Sequence, residues 1–428
     1  MRQIFHIFIL TTLTLRLHAQ IVDGGNGHAL ILDKQGNVWA IGRNNFGQLG
    51  DSTLENSPIP KKVKSLNHIK AISRGYDHSI ALDKNGNLYL WGRNNYGQLG
   101  CASSNDQSTP QQLPNHTNFI AAEGGHWHTV GLKNDGTVWC WGHNYYAQLG
   151  NGTREHSSWP VQVLQTANSK ISILDYVISI ASVGSHTLAL KKDSTVWAWG
   201  SNSFNQLGKK LDVLHQPYAI KVDGIPKVKE IAVGWHHSVA LDYNGKIWIW
   251  GSDPAFQYKE ETRKHYSHPI QLDGLPKITK IACGSWHSLA IDENKKVWAW
   301  GKNHYGMLGT GDTISRSNPI QIETLENIID IGGGCFQSIA VDTSGALFTF
   351  GDNPSGQLGL GNFSRCYSPK LMPIDLNGFI VNKSIFTEEK KSTFKNNNTM
   401  KIALYFLLSI SLLLNVVLLK RQIGYRKN

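Results

Sequence analysis

A glycine preceded by an aromatic or aliphatic residue returns along this chain at positions 42, 92, 142, 200, 251, 301 and 351, at spacings of 50, 50, 58, 51, 50 and 50 residues. No other feature constrains the fold as strongly. A unit repeated at a period of about 20–50 residues cannot bury its apolar face alone and must stack on its neighbours. The phrase around the glycine is WGRNNYGQLG at 91–100, echoed by IGRNNFGQLG at 41–50 and WGHNYYAQLG at 141–150. A second phrase tracks it: GNGHALIL from 25, GYDHSIAL from 75, GHWHTVGL from 125, GSHTLAL from 184, GWHHSVAL from 234, GSWHSLAI from 284 and GCFQSIAV from 334. Seven copies thus fill residues 20 to about 375.

Each copy parses into four short strands, A to D, separated by turn signals. In the sixth copy they are ITKIAC (278–283), HSLAID (287–292), KVWAWG (296–301) and NPIQIE (318–323). Between B and C sit DKQGN, DKNGN, KNDGT, DYNGK and DTSGA, tight turns in which Gly or Asn supplies a positive φ. Four antiparallel strands make a propeller blade, and closing seven into a ring leaves only short edges. The fold class is therefore all-β, a seven-bladed β-propeller over residues 20–375. In strand C, positions i and i+2 share a face, so Trp139/Trp141, Trp197/Trp199, Trp248/Trp250 and Trp298/Trp300 place paired indoles between blades. Trp39 and Trp91 join them as core, and the decamer itself reads as architecture, turning through Asn94 and Asn95 and packing Tyr96 and Leu99 under the C-to-D loop.

These phrases resemble the repeats of the regulator-of-chromosome-condensation family, whose signature pairs a G-x-x-H-S segment with W-G-x-N-x-x-G-Q-L-G. The resemblance implies a seven-bladed propeller and says less about activity, since one fold hosts unrelated functions. The copies depart from the signature in three places. The fifth loses its QLG and reads GSDPAFQYKEETRKHYSH over 252–268 and the residue before it; about nine extra residues lie within 164–178; and the seventh replaces the repeated His with Gln337. A light-sensing member of the family carries G-W-R-H-T. Gly234-Trp235-His236-His237-Ser238 approaches it without the arginine, and Trp127 and Trp286 are offset by one position, which weighs against photoreception.

The formal charge of +11 belongs to the ends. Residues 1–20 carry Arg2 and Arg16, and 376–428 carry nine Lys or Arg against Glu388 and Glu389. The middle, with 31 basic and 29 acidic residues, is nearly neutral, so no nucleic acid is expected as a partner. MRQIFHIFILTTLTLRLHAQ reads as a signal peptide over 1–19. Ile402–Leu419 holds 18 residues without a charge, about 27 Å as a helix, and reads as a single transmembrane helix (401–419) after a polar stalk (376–400). The following Lys420, Arg421, Arg426 and Lys427 place the short tail (420–428) in the cytoplasm and the propeller outside.

The five cysteines form no CxxC pair, and the odd count leaves mostly buried free thiols as the expected state. The repeated His28, His78, His128, His186, His237 and His287 are related by rotation about the ring and too far apart to share one ion. They are expected to fix the A-to-B turns through hydrogen bonds, and no metal or cofactor site is expected. No nucleophile elbow, P-loop, HExxH or EF-hand loop occurs, so the chain is not read as an enzyme. Asn115, Asn151, Asn362 and Asn382 open N-x-S/T sequons.

In an A-B-C-D meander the A-to-B and C-to-D loops share one rim. That rim collects Tyr76, His126, Trp127, Trp235, His236, Trp286 and Phe336, together with the irregular fifth-blade loop, while the opposite rim is expected to hold the B-to-C turns and the 164–178 insertion. Aromatic anchors favour the first rim as the binding face. The expected function is a membrane-anchored, extracytoplasmic propeller that binds a protein or other ligand. The alternatives are a guanine-nucleotide exchange factor or regulator of a small GTPase, if the propeller is cytosolic, and an extracellular enzyme with its site in the central channel.

Overall fold

The computed structural model describes residues 22–101, 103–252 and 265–375. Within them the chain forms seven antiparallel sheets, each running A-B-C-D in chain order, one sheet carrying two further strands. The blades span 22–62, 69–112, 119–162, 177–221, 228–272, 278–321 and 328–375. Each strand A packs beside strand A of the next blade, and that of blade seven (Ile328–Gly333) beside that of blade one (Val22–Gly24), so the A strands form the closed inner wall. Blade one is built wholly from the start of the propeller and blade seven wholly from its end, so the ring closes without exchanging a strand. The expected signal peptide and transmembrane segment lie outside the described residues. Among the described residues no helix is long and apolar enough to cross a membrane.

Tight turns join B to C through one left-handed residue. Gly36, Gly86, Gly136, Gly245 and Gly345 occupy it, and Ser194 and Lys295 take the same conformation in blades four and six at some steric cost. Strand C divides the labour of its two aromatics. The second member (Trp91, Trp141, Trp199, Trp250, Trp300 or Phe350) is fully buried between blades. The first is half-buried in most blades, yet Trp139, Trp248 and Trp298 pack against the buried core and Trp197 is itself buried, so the expected core role holds for all but Trp39. Trp39, Trp248 and Trp298 donate Nε1–H to Asp33, Asp242 and Asp292, which also organise the preceding turns. Trp159, on strand D of the third blade, is exposed.

The insertion is not a loop of the opposite rim. Leu164–Ala167 and Lys170–Ile173 form a hairpin that joins blade four, its first strand pairing parallel with strand D, His215–Lys221. The segment pairs because its alternation of apolar and polar residues, closed by the two-residue turn Asn168-Ser169, is itself a strand-turn-strand pattern.

The two repeated phrases meet between blades. The Nε2 of His28, His78, His186, His237 and His287 lies 2.8–3.2 Å from the hydroxyl of Ser79, Thr129, Ser238, Ser288 and Ser338 on the following blade, and His128 lies 3.3 Å from Ser182. The hydroxyls of Ser79, Thr129 and Ser238 in turn donate to the backbone carbonyls of Gln48, Gln98 and Gln206 in the decamer of the preceding blade, each at 2.8 Å. Trp91 and Trp250 donate to the carbonyls of Gln48 and Gln206 as well. Because each of these hydroxyl protons is spent on a carbonyl, the histidine must donate, which sets the Nε2–H tautomer. The imidazole lies over the glycine that opens its own phrase: a Cβ on Gly75 would sit 2.0 Å from His78 Cε1.

At the closure both partners change together. Blade one carries Ala29 where the others carry Ser or Thr, so a histidine from blade seven would find no hydroxyl. Gln337 stands there, and its amide donates to the carbonyls of His28 at 3.1 Å and Gly25 at 3.3 Å.

Two outcomes follow from this packing. Trp199→Ala removes a fully buried indole whose Nε1–H bonds Gln148 and should cost about 3–5 kcal/mol in denaturant unfolding. Burial pushes His28, His78, His128 and His287 down to about 3 and His237 to about 4, and lowers His186 strongly. They stay neutral when folded, while the unfolded chain takes up protons below about pH 6.5. Stability is therefore intact above that pH and falls as pH drops toward the folded values, by about 1.4 kcal/mol per pH unit for each histidine. Acid titration followed by circular dichroism should show cooperative unfolding at mildly acidic pH, and His237→Gln should move the midpoint down.

Candidate functional site

The backbone fixes which loops share a rim. The residue after the strand-C glycine donates its N–H to the A-to-B loop of the same blade, as in Arg43 to Gly27, Arg93 to Asp77, His143 to Trp127, Ser252 to His236, Lys302 to Trp286 and Asp352 to Phe336. A second set of bonds runs between blades: Asn26 to Tyr76, Tyr76 to Gly125, His126 to Gly184, Trp235 to Ser285, Ser285 to Gly334 and Cys335 to Gly25. The A-to-B loops are therefore strung into a belt.

On this belt six of the seven expected residues form one continuous aromatic floor. Ring centroids lie 4.4 Å apart for Tyr76 and His126, 3.9 Å for His126 and Trp127, 5.2 Å for His126 and Trp235, and 5.1 Å for Trp235 and Trp286, with His236 5.4 Å from Trp286. Phe336 stands apart against Tyr305, at 5.2 Å. All seven are half-buried, neither fully open nor folded away.

The floor crosses the ring because blade four is short. Gly184-Ser185-His186 has one residue fewer between its glycine and histidine than the other copies, and no aromatic there. Trp235 of blade five lies over Gly184, where a Cβ would come within 2.4 Å of the Trp235 carbonyl oxygen. From that position it reaches Tyr76 of blade two, at 5.7 Å.

The sequence reading missed the second tier, contributed by the C-to-D loops. Phe46, Tyr96, His143, His156 and Phe204 extend the floor, with Tyr96 5.3 Å from Trp127 and Phe204 4.2 Å from His236. Tyr96 is thus a rim residue and not loop packing, and only Asn94 of its asparagine pair is buried, where Nδ2 donates to Ser103 and Oδ1 accepts from Leu99. Cations cap the rings: Arg93 lies 4.6 Å from Phe46 and 5.9 Å from Trp127, Lys302 3.8 Å from Trp286, and Arg365 4.6 Å from Tyr305. The signal was present in the variable position of W-G-x-N, which reads Arg43, Arg93, His143 and Lys302.

Asp77 sits buried between Arg43 at 3.5 Å and Arg93 at 3.3 Å, its carboxyl raised by burial against the pull of both guanidiniums. Burial and neighbouring charge hold His126 and His143 down to about 4, so they are neutral at physiological pH. Among the described residues, Arg43 and Arg93 pair with Asp77, Arg365 pairs with Asp352, and Lys302 lies over the Trp286 ring.

The channel wall carries two mixed clusters. Asp23 lies 3.3 Å from Arg74, whose Nη2 donates to the Gly333 carbonyl at 2.6 Å, while Glu123 accepts from Ser73 at 2.9 Å. Lys280 pairs with Asp330, and Glu230 accepts from the Ile281 N–H at 3.4 Å. Each acidic group surrounds one cation, and among the described residues no group of three or more His, Cys, Asp or Glu is placed to hold a metal ion. Loss of solvent, with the nearby Asp23, pushes Glu123 up to about 8. Folding thus favours its protonated form, and that contribution is lost as pH rises through about 8. Glu123→Gln should raise the melting temperature by a margin that is small near pH 5 and grows up to pH 9.

Among the sequons, Asn151 and Asn362 use their side-chain oxygens inside C-to-D loops, Asn115 is exposed, and Asn382 lies outside the described residues. The five cysteines are free, three of them buried.

A ring of seven four-stranded blades, clasped by repeated His and Gln-Leu-Gly phrases and topped by a cation-capped aromatic floor, defines a seven-bladed repeat propeller. The chain belongs to the RCC1-like domain family, whose pattern matches residues 108–393; regulator of chromosome condensation (RCC1) repeats match at 35–82, 20–48 and 69–98. Among solved structures it is similar to human WBSCR16 (TM-score 0.67, 23% identity, 77% of this chain and 89% of that one) and to Prp20p from Saccharomyces cerevisiae (TM-score 0.68, 23%, 78% and 85%), which show the fold. A curated relative is the RCC1-like G exchanging factor-like protein of Mus musculus, 31% identical over 77 residues, 18% of this chain and 17% of that protein. The matched segments span between 7% and 18% of the length of the first curated relatives.

Proposed function

We propose that this propeller is a protein-recognition module that docks its partner on the aromatic rim, and that the partner is a small GTPase whose nucleotide state it regulates. The observation that carries the docking is the continuous floor from Tyr76 to Trp286 capped by Arg93 and Lys302. Aromatic and arginine side chains dominate the binding energy of protein interfaces, and half-buried rings are already held rigid for a partner. The choice of a GTPase rests on relatives: Prp20p binds Gsp1p and histones, and the mouse relative bears the name RCC1-like G exchanging factor-like protein.

A second reading keeps the ring outside the cell, anchored through Ile402–Leu419 and facing an extracytoplasmic ligand. Its support is the pair of apolar terminal segments.

One experiment separates the two. The purified chain is added to a panel of small GTPases loaded with fluorescent GDP, and nucleotide release is followed with the wild type and with Arg93→Ala and Trp286→Ala. Accelerated release by the wild type, reduced at least tenfold in both folded variants, supports the proposal. No acceleration, together with digestion of the propeller by protease added to intact cells and its release into the medium by truncation after Asn398, favours the second reading.

A further inference from the structure

The inserted hairpin leaves the outermost strand of blade four, Lys170–Ile173, without a strand on its far side among the described residues. All four of its residues are exposed, with Ile171 at 56% and Ile173 at 43%. An open strand edge presents unpaired N–H and C=O groups, and proteins ordinarily guard it with proline, a bulge or clustered charge. This strand has no proline and one charged residue, Lys170, and its ladder with Leu164–Ala167 runs without a bulge.

The ladder determines which backbone groups are free. Partners are Leu164 with Ile173, Gln165 with Ser172, Thr166 with Ile171 and Ala167 with Lys170. The two-residue turn, with positive φ at Asn168 and Ser169, closes on Ala167 and Lys170 as a hydrogen-bonded pair. Leu174 N–H donates to the Val163 carbonyl at 2.9 Å, four positions further along the same alternation. Bonded and non-bonded pairs alternate in an antiparallel ladder, so Lys170 and Ser172 turn their backbone groups toward the hairpin while Ile171 and Ile173 turn theirs outward.

We propose that this edge pairs with a second copy of the same chain, antiparallel, with Ser172 of both copies on the two-fold axis. That register lets Ile171 of each copy exchange both backbone bonds with Ile173 of the other, satisfying all four outward groups of each strand. It also gathers the four isoleucines on one face of a sheet that becomes continuous across two blades. The charge order along the edge favours the antiparallel sense. Lys170 stands at one end and Asp175, 44% exposed, just beyond the other, so two antiparallel copies set opposite charges near each other at both ends, whereas parallel copies would set like beside like. Four residues of edge bury an area at or below the ~1,000 Å² that separates stable from transient interfaces, so the dimer is reversible. The exposed Tyr176 beside the hairpin adds to that area.

The test uses the purified full-length chain. Sedimentation velocity between about 5 and 200 µM should show a concentration-dependent monomer–dimer equilibrium of the kind a small interface gives. Ile171→Lys with Ile173→Lys should abolish dimerisation while leaving the melting temperature within a few degrees of the wild type. Ile171→Pro, which removes only an outward N–H, should do the same. For the register, Ser172→Cys should form a disulfide-linked dimer on mild oxidation beyond any formed by the wild type, and Ala167→Cys should not. A wild type that stays monomeric throughout the range overturns the proposal. So does a dimer that survives the isoleucine variants, or one that Ser172→Cys fails to trap.

Discussion

The bond between each histidine and the hydroxyl of the following blade is the interaction on which the ring depends. A blade of four strands is flat and apolar on both faces, and nothing in apolar burial alone sets the angle or height at which one blade meets the next. The clasp does, because it joins three points at once: an imidazole from one A-to-B turn, a hydroxyl from the next blade's strand B, and a carbonyl from the decamer of the first. Each group is buried, so leaving one unpaired carries the desolvation cost of a polar atom in the core. The geometry that satisfies the bonds is also the one that seats the second strand-C aromatic against its neighbour. The joint change at the closure shows the same logic, since Ala29 and Gln337 make a working pair only together.

Function inherits this rigidity. With every A-to-B loop held by the clasp and by the belt of backbone bonds, the residues between glycine and histidine have nowhere to go but onto the rim. Blade four, one residue shorter there, opens the space through which Trp235 crosses toward Tyr76. The aromatic floor is thus a by-product of ring closure, held by the same bonds that close the ring, with Arg93 and Lys302 over its rings. Acids stand both on the floor, where Asp77 and Asp352 pair with arginines, and in the channel wall, gathered around Arg74 and Lys280.

Much of this was legible in the sequence. The period counts the blades, the alternation in strand C identifies the interdigitating face, and the phrase G-x-x-H marks the rim. What misled was local. Trp39 looks identical to Trp91 by type and by alternation, yet it sits beside the B-to-C turn and bonds an aspartate at the blade's edge. Tyr96 looks like loop packing because the decamer shows no partner for it; its partners, Trp127 and His143, come from the next blade. The insertion looks like a long connection until its own period-two pattern is noticed, and even then the strand it pairs with, His215–Lys221, lies more than forty residues further on.

By itself the sequence determined the architecture, because a repeated apolar unit of this length has one way to bury its faces and its turn residues fix where each strand ends. The tertiary structure decided everything that depends on residues from different blades meeting. It chose the partner of each histidine, the reach of Trp235 across the ring, the pairing of arginines with Asp77, and the open edge at Lys170–Ile173. Those contacts are set by the rotation from one blade to the next, a quantity no single repeat encodes.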